Sequence, residues 1–390
     1  MIFQDTLRTD SKDKQYSESD YEYLNRSDRD ESECIRNTLN AWFENYPDHE
    51  KPDLISRIRS RDNYQHYSAT FELYLHELLL KLGYKVEVHP KTDNCKTTHP
   101  DFLVTDSENF QFYVEAVQSS DIKKHERSGE NRLNVVFDSV NRIISSDYFL
   151  EIDYEGLPPS PPSGKKLRSG LEAWLTTLDY CEVCSQLKDD DFSKLPQYIF
   201  IHEGWKAVFT VIPRSEENRG TPLDGVIGML SPGARWLSTW ETIRDTLIAK
   251  GKHYGELNLP LLIAVNANVF HLDRITIMEA LFGQEQFIFN RVSNTDGPEM
   301  RRPPNGLWYG PKGIQYKRIS GILIGFDIKP WTYGVRELTL YINPWAYNSL
   351  KGSVFSMPYA EPHEGKMQWN KGKHPKEILQ LKSPYPGIEN

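Results

Sequence analysis

The chain has 390 residues, of which 38% are hydrophobic and 26% are charged, and its formal net charge is −9. This balance excludes a wholly disordered chain, and the length allows one large α/β domain or two modest ones. The longest apolar run, at 259–265, is too short to cross a bilayer, no segment is typical of a signal peptide, and four cysteines give no disulfide framework. The sequence therefore predicts a cytoplasmic protein without membrane segments.

The first part of the chain is predicted to be peripheral. Residues 1–30 are dense in charged side chains and nearly lack aliphatic ones, which predicts a charged, mobile arm. Residues 31–66 are predicted to form a helical region, which includes an amphipathic segment that ends at Pro47.

A helix is predicted over 68–83, with Ser68 as its amino-terminal cap and Gly83 as its stop. Apolar side chains recur at helical spacing along one face of this segment. These side chains are Phe71, Leu75, Leu78, Leu79 and Leu82.

Three short extended segments follow this helix, at 84–90, 100–105 and 110–117. A second amphipathic helix is predicted at 132–145. The order of one helix, three strands and one helix indicates a sheet covered on at least one face. We assign residues 67–156 to this core.

The rest of the chain is predicted to be a second region of mixed structure. Residues 157–166 form a proline-rich linker. Residues 167–350 form a carboxyl-terminal α/β portion, which includes a hairpin that turns near Glu203 and Gly204. Residues 351–390 form a tail rich in Pro, Gly and Lys.

Several basic clusters interrupt the acidic average of the chain. Phosphate binding depends on clustered Lys and Arg, so the net charge argues against a nucleic-acid partner unless several clusters converge. The clusters lie at 123–127, 165–168, 244–253, 301–302 and 311–318.

A hairpin is predicted between the second and third extended segments. If its loop spans residues 107–109, Asp106 pairs with Phe110 and Asp101 lies directly opposite Glu115. The same register brings apolar residues of both segments together on the other face, as a core requires. These residues are Phe102, Val104, Phe112 and Val114.

Two carboxylates side by side on a sheet repel each other unless one is protonated or a cation lies between them. A divalent metal resolves the repulsion, because carboxylate oxygens with open water positions suit Mg²⁺ or Mn²⁺. Such an ion activates a bound water and stabilises the charge that develops during phosphodiester hydrolysis. Asp101 and Glu115 are therefore candidate metal ligands.

These residues resemble the PD-(D/E)XK superfamily of nucleases, whose pattern is an acid on a helix, Pro-Asp on one strand and Glu-X-Lys on the next. Here the pattern reads Glu72 in FELYLHELL, Pro100 and Asp101 in HPDFLV, and Glu115 in YVEAV. The resemblance implies that Asp101 and Glu115 bind Mg²⁺ or Mn²⁺, and that Glu72 binds it directly or through water. It also implies an α/β, restriction-endonuclease-like mixed sheet flanked by helices, with an amino-terminal helical extension and a carboxyl-terminal α/β elaboration.

The chain departs from this pattern at Val117, where the superfamily usually has a lysine that orients the attacking water and stabilises developing charge. Gln118 follows directly and is a candidate catalytic substitute if the strand ends there. A base located elsewhere in the chain is the other solution. The candidates are His76, His89, Lys123 and Lys124.

Simpler interpretations compete with the catalytic one. Glu72 can also be interpreted as a solvated helix acid paired with His76, and Asp101 as the first residue of a strand. Glu115 is harder to explain in this way, because an unpaired carboxylate in an apolar strand is costly.

The resemblance implies a metal-dependent endonuclease, a hydrolase that acts on DNA in restriction, defence or repair. A homodimer would present two such sites to a duplex. The alternative is a catalytically weakened nuclease-like scaffold that binds nucleic acid or a protein partner, which the net charge of −9 and Val117 favour. A component of a larger assembly is a third interpretation.

Overall fold

The chain divides into two compact units. The computed structural model describes residues 1–91, 99–187, 192–221, 223–233, 237–253, 257–288 and 299–387. The first unit comprises Met1–Lys12, Ser19–Asp121 and Leu237–Asn390, and the second comprises Asp13–Glu18 and Ile122–Trp236. Most of the second unit is thus inserted, along the chain, after Asp121 of the first.

Helices occur in both units. Those of the described ranges are α1 (Asp20–Arg26), α2 (Asp30–Glu44), α3 (Lys51–Ile58), α4 (Asn63–Lys81), α5 (Arg127–Asn141), α6 (Gly164–Leu175), α7 (Tyr180–Gln186), α8 (Thr239–His253), α9 (Arg274–Phe282) and α10 (Pro375–Ile378). Short 3₁₀ helices lie at Phe192–Lys194, Glu216–Asn218 and Gly352–Phe355.

Strands alternate with these helices along the chain. In the described ranges they are β1 (Lys85–Val88), β2 (Phe102–Thr105), β3 (Gln111–Ser120), β4 (Ile144–Ser145), β5 (Tyr148–Tyr154), β6 (Gln197–His202), β7 (Trp205–Pro213), β8 (Leu223–Asp224), β9 (Ile227–Pro232), β10 (Leu261–Asn268), β11 (Gln286–Ile288), β12 (Glu299–Arg301), β13 (Tyr309–Gly310), β14 (Gly313–Ile314), β15 (Ile319–Phe326), β16 (Leu338–Ile342), β17 (Tyr359–His363) and β18 (Lys366–Asn370).

The first unit is built on an eight-stranded mixed sheet with the order β1-β2-β3-β10-β15-β16-β17-β18. β1, β2 and β3 are antiparallel neighbours, whereas β3, β10 and β15 run parallel to one another. Parallel strands need coverage on both faces, which explains why β10 and β15 are buried along nearly their whole length. The predicted mixed sheet flanked by helices is confirmed.

Each face of strand β3 packs against a different helix. On one face, Phe112 and Val114 share a core with Phe71 and Leu75 of α4. On the other face, Tyr113 and Val117 share a core with residues of α8, namely Ile243 and Leu247. This alternation follows from the two-residue period of a strand, and it brings α4 and α8 to opposite sides of the same segment.

Helix α4 is longer than predicted. It begins at Asn63, because the side chain of Asp62 caps it by accepting a hydrogen bond from the backbone amide of Tyr64 at 2.9 Å. Ser68, the predicted cap, therefore lies inside the helix. Gly83 does follow the helix end, with a φ of +88° that favours glycine.

Most of the predicted arm at 1–30 belongs to the first unit, and Asp13–Glu18 belongs to the second. Ile2 and Phe3 are fully buried, and the side-chain oxygen of Asn40 accepts hydrogen bonds from both of their backbone amides. The prediction of a mobile arm is wrong, because its few apolar residues are buried and its polar backbone groups are hydrogen-bonded. At the other end, the predicted tail at 351–390 supplies β17 and β18 to the large sheet.

The predicted core boundaries at 67–156 also differ from the structure. The helix predicted at 132–145 is α5, which lies in the second unit and packs there against α6, β5 and β7. One face of β3 is covered instead by α8. The predicted linker at 157–166 lies inside the second unit, where Ser163 caps α6. Local pattern identified the helix correctly but carried no information on which sheet it covers.

The second unit contains a four-stranded sheet with the order β6-β7-β5-β9. Its core is formed by side chains of α5, α6, β5 and β7, among them Phe137, Leu167, Leu150 and Phe209. The β6-β7 hairpin turns at Glu203 and Gly204, both with positive φ, as predicted. No helix in the described part of the chain is long and apolar enough to cross a membrane.

Candidate functional site

The β2-β3 hairpin positions the two predicted metal ligands. Its register pairs Phe102 with Val114 and Thr105 with Gln111, and the backbone amide of Asp106 donates to the carbonyl of Phe110 at 2.9 Å. This is the predicted three-residue loop. Continuing the register by one residue places Asp101 opposite Glu115.

The Asp101 side chain is fixed against strand β3. Its Oδ2 accepts a hydrogen bond from the backbone amide of Ala116 at 2.6 Å, while its own carbonyl accepts one from the amide of His89 at 2.9 Å. Asp101 as a whole residue is half-buried, whereas Glu115 is fully buried. Asp101 is thus more than the first residue of a strand.

Desolvation and charge repulsion act together on Asp101. Burial raises the pKa of Asp101 well above its usual range, and the neighbouring carboxylates of Glu115 and Glu72 raise the pKa further. Three acids therefore share one electrostatic environment, as the sequence pattern predicts. Two of them, Glu72 and Glu115, are only 4% and 2% exposed.

Glu115 is paired with a lysine from a distant part of the chain. Lys250 Nζ lies 2.5 Å from Glu115 Oε1, although the two residues are 135 positions apart. A buried carboxylate is costly unless it is paired, so this contact explains how Glu115 is tolerated between Tyr113 and Val117 on an apolar face.

Helix α8 brings Lys250 to this position. Ile243 and Leu247 of α8 are buried against the sheet, and Lys250 continues the same helical stripe one turn later. Nearer the start of the helix, Thr246 Oγ1 and the hydroxyl of Ser119 on β3 are 3.1 Å apart. Polar contacts at Thr246 and Lys250 thus join α8 to β3 beside the apolar contacts of this stripe.

Lys250 keeps its charge in this environment. Burial alone would lower the pKa of Lys250, but the carboxylate of Glu115, followed by that of Asp101, outweighs burial and raises it. An ammonium group therefore lies beside the acid pair. Lys250 belongs to the basic cluster at 244–253 in the sequence. The feature that indicates an acidic partner is its position on the buried stripe of α8, which the sequence analysis does not use.

Glu72 lies on the α4 side of the sheet and is also paired. Arg57 of α3 donates to both of its oxygens, with distances of 2.6 Å from Nη1 to Oε2 and 3.1 Å from Nη2 to Oε1. The hydroxyl of Tyr46 donates to Oε1 at 2.7 Å. The interpretation of Glu72 as a solvated acid paired with His76 is therefore wrong.

The other candidates for the missing lysine lie elsewhere. Val117 packs against α8, and β3 continues to Ser120, so the condition for Gln118 to turn towards Glu115 is not met. Gln118 lies on the α4 side of β3. Its backbone carbonyl accepts a hydrogen bond from the hydroxyl of Tyr64 at 3.1 Å. Its carboxamide is 4% exposed and has no hydrogen-bond partner among the described residues.

The basic candidates outside the strand are also committed to other environments. The Nδ1 of His89 contacts Glu50 Oε2 at 2.9 Å. His76 is buried beside Tyr46, and burial lowers the pKa of His76 to about 4. Lys123 and Lys124 belong to the second unit.

The Asp101–Glu115 pair fits a magnesium-type site with few protein ligands. Mg²⁺ is commonly held by one or two carboxylates together with waters and substrate phosphates. Within the described ranges, no group of three or more His, Cys, Asp or Glu side chains is arranged to hold a metal. Arg57 and Tyr46 contact both oxygens of Glu72, whereas Lys250 contacts Oε1 of Glu115 and the Ala116 amide contacts Oδ2 of Asp101, so Asp101 and Glu115 would be the protein ligands.

Comparisons of this chain with family models, curated proteins and solved structures give no significant match.

Proposed function

We propose that the chain is a metal-dependent endonuclease of the PD-(D/E)XK type, with a restriction-endonuclease-like core in its first unit. The observation that carries the proposal is the contact of Lys250 with Glu115, beside Asp101. Two adjacent carboxylates and one ammonium are the groups that the superfamily pattern places in its site. Here the ammonium comes from α8 instead of from β3.

The order of elements supports the same class. Helix α4 is followed by the antiparallel strands β1, β2 and β3, and α8 then precedes β10, which lies parallel to β3. The sequence predicted this order with the segment at 132–145 as the second helix. That helix is α5 of the second unit, and in the first unit α8 takes its place after the inserted second unit.

The residues of the site have separable roles in phosphodiester hydrolysis. Asp101 and Glu115 would hold Mg²⁺ or Mn²⁺, which when bound supplies an activated water and stabilises developing negative charge. Lys250 would donate hydrogen bonds to the attacking water or the scissile phosphate, the role of the lysine that Val117 replaces. Its position over the same face of β3 makes this substitution feasible.

Two features support nucleic acid, with DNA as the first choice by analogy with the superfamily. From Ala116 to Ser120, β3 pairs with β10 on one edge, and no described strand pairs with the other edge. In addition, Gly251 lies against Tyr316, since a Cβ built on Gly251 would be 3.0 Å from the Tyr316 ring. Two basic clusters, 244–253 and 311–318, are therefore in contact at Gly251 and Tyr316, and clustered Lys and Arg would supply phosphate binding.

Cleavage assays test the proposal. Plasmid, linear and single-stranded DNA and RNA are incubated with Mg²⁺, Mn²⁺ or EDTA, using the wild type, Asp101→Asn and Glu115→Gln. Both variants should lose at least about a hundredfold in rate, because each removes a metal ligand. Glu108→Gln, an exposed residue of the hairpin loop, is the matched control and should cleave normally.

The alternative is a nuclease-like scaffold that binds nucleic acid or a protein partner without cutting. It is favoured by Val117 and by the ion pair that already neutralises Glu115. Absence of cleavage of all four substrates, together with absence of Mn²⁺ binding in calorimetry, would contradict the nuclease and support this scaffold. Retained DNA binding would then define its partner.

A further inference from the structure

Lys250 is in contact with the same carboxylate that the proposed function assigns to the metal. Its Nζ lies 2.5 Å from Glu115 Oε1. We infer that Lys250 is a displaceable counter-cation: the ammonium neutralises Glu115 until a divalent metal displaces it, and only then does it become available to a substrate phosphate. This inference rests on the proposed function for the identity of the ion, and concerns what Lys250 does before the substrate binds.

Charge repulsion makes the two cations competitors. An ammonium in hydrogen-bonding contact with a carboxylate and a divalent ion bound to the same carboxylate would be only a few ångströms apart. Their repulsion is strong in a site where little water screens it, because Glu115 is 2% exposed. Either the metal binds weakly beside Lys250 or Lys250 moves away.

Two properties allow the Lys250 side chain to change position. It is 32% exposed, so part of its aliphatic chain borders solvent. Its ammonium is also a point charge on four flexible carbons, without the fixed planar donor geometry of a guanidinium. Lys250 also lies in the last turn of α8, where the helix dipole favours a cation.

Arg57 shows what a fixed counter-ion looks like in the same unit. It contacts both oxygens of Glu72 and also donates from Nε to Asp53 Oδ2 at 2.7 Å. Three hydrogen bonds in a planar arrangement must break together before this guanidinium can leave. Lys250, by contrast, donates one hydrogen bond to Glu115, to its Oε1.

Calorimetry with Mn²⁺ alone, on the full chain without nucleic acid, tests the competition. Lys250→Met should bind Mn²⁺ at least about tenfold more tightly than the wild type, because the competing cation is gone. Lys252→Met is the matched control, an exposed lysine two residues later on α8, and should bind within about twofold of the wild type. Equal or weaker binding by Lys250→Met, or binding by neither protein, would overturn the inference.

Chemical labelling of the wild type tests displacement without relying on a variant. An amine-acylating reagent followed by peptide mass spectrometry should modify Lys250 several-fold faster when Mn²⁺ is saturating, while Lys252 is unchanged. A Lys250 rate that does not respond to Mn²⁺ would show that the ammonium stays on Glu115, and would overturn the inference. Neither measurement reads cleavage. Mn²⁺ binding that Lys250→Met leaves unchanged would overturn this inference and leave the proposed function standing, whereas Mn²⁺ binding by neither protein would contradict both.

Discussion

Two ion pairs of the first unit, one on each side of its sheet, differ in how firmly the cation is held. In the α4-side pair, Arg57 donates to both oxygens of Glu72, and Tyr46 is a further donor. In the α8-side pair, Lys250 donates one hydrogen bond to Glu115. Both carboxylates are almost completely buried, at 4% and 2% exposure.

The difference indicates a division of roles. A planar guanidinium that satisfies a carboxylate from two directions stabilises one conformation, whereas an ammonium on a flexible stem can exchange partners. We therefore interpret the α4-side pair as structural and the α8-side pair as functional.

Removing the guanidinium should cost the most. Arg57→Met leaves the Glu72 carboxylate buried without its main partner, and the free energy of unfolding should fall by about 3–5 kcal/mol in urea denaturation. Arg61→Met is the control, since Arg61 forms an exposed pair with Glu22 and should change stability by less than about 1 kcal/mol. A small effect of Arg57→Met would show that the α4-side pair is not structural.

The buried histidine on the α4 side should make stability depend on pH. Burial lowers the pKa of His76 to about 4, so between about pH 6.5 and 4 the unfolded chain binds a proton that the folded chain does not. Stability is therefore lost as pH falls through this window, by about 3 kcal/mol from this residue.

Urea denaturation at several pH values measures this effect. His76→Phe should flatten the slope between pH 4 and 6.5, because it removes the group that titrates. His363→Gln, which replaces an exposed histidine, should leave the slope unchanged. An unchanged slope in His76→Phe would contradict the assigned cause.

On the α8 side, the main effect should be on catalysis. Lys250→Met should lower the rate of metal-dependent cleavage by about a hundredfold, close to 3 kcal/mol of transition-state stabilisation. Lys85→Met, which replaces an exposed lysine of β1 outside the basic clusters, should cleave like the wild type. A Lys250→Met protein that cuts normally would assign the role of the missing lysine to another residue.

The contacts that hold α8 over the sheet should have the smallest effect. Ser119→Ala removes the hydroxyl that lies 3.1 Å from Thr246 Oγ1 and should lower the free energy of unfolding by about 1 kcal/mol. Ser185→Ala, an exposed serine on α7, serves as the control. A large loss of cleavage in Ser119→Ala with little loss of stability would show that the α8 position itself limits catalysis.

The sequence by itself determined the hairpin and the acid pair. Loop length and the two-residue period of strands fix the register of neighbouring segments, so Asp101 and Glu115 could be placed together without a structure. The apolar stripe of α4 could also be predicted from local sequence, because the helical period is recognisable within a few turns.

Only the tertiary structure decided the counter-ions. Lys250 is 135 residues from Glu115 and Arg57 is 15 from Glu72, and neither partner is specified by a local period. The inserted second unit separates β3 from α8 along the chain. The sequence therefore predicts that the nearest helix, at 132–145, covers β3, whereas α8 covers it in the structure. The entropic cost of closing a loop of chain rises only slowly with its length, so distance along the sequence does not predict which elements pack together.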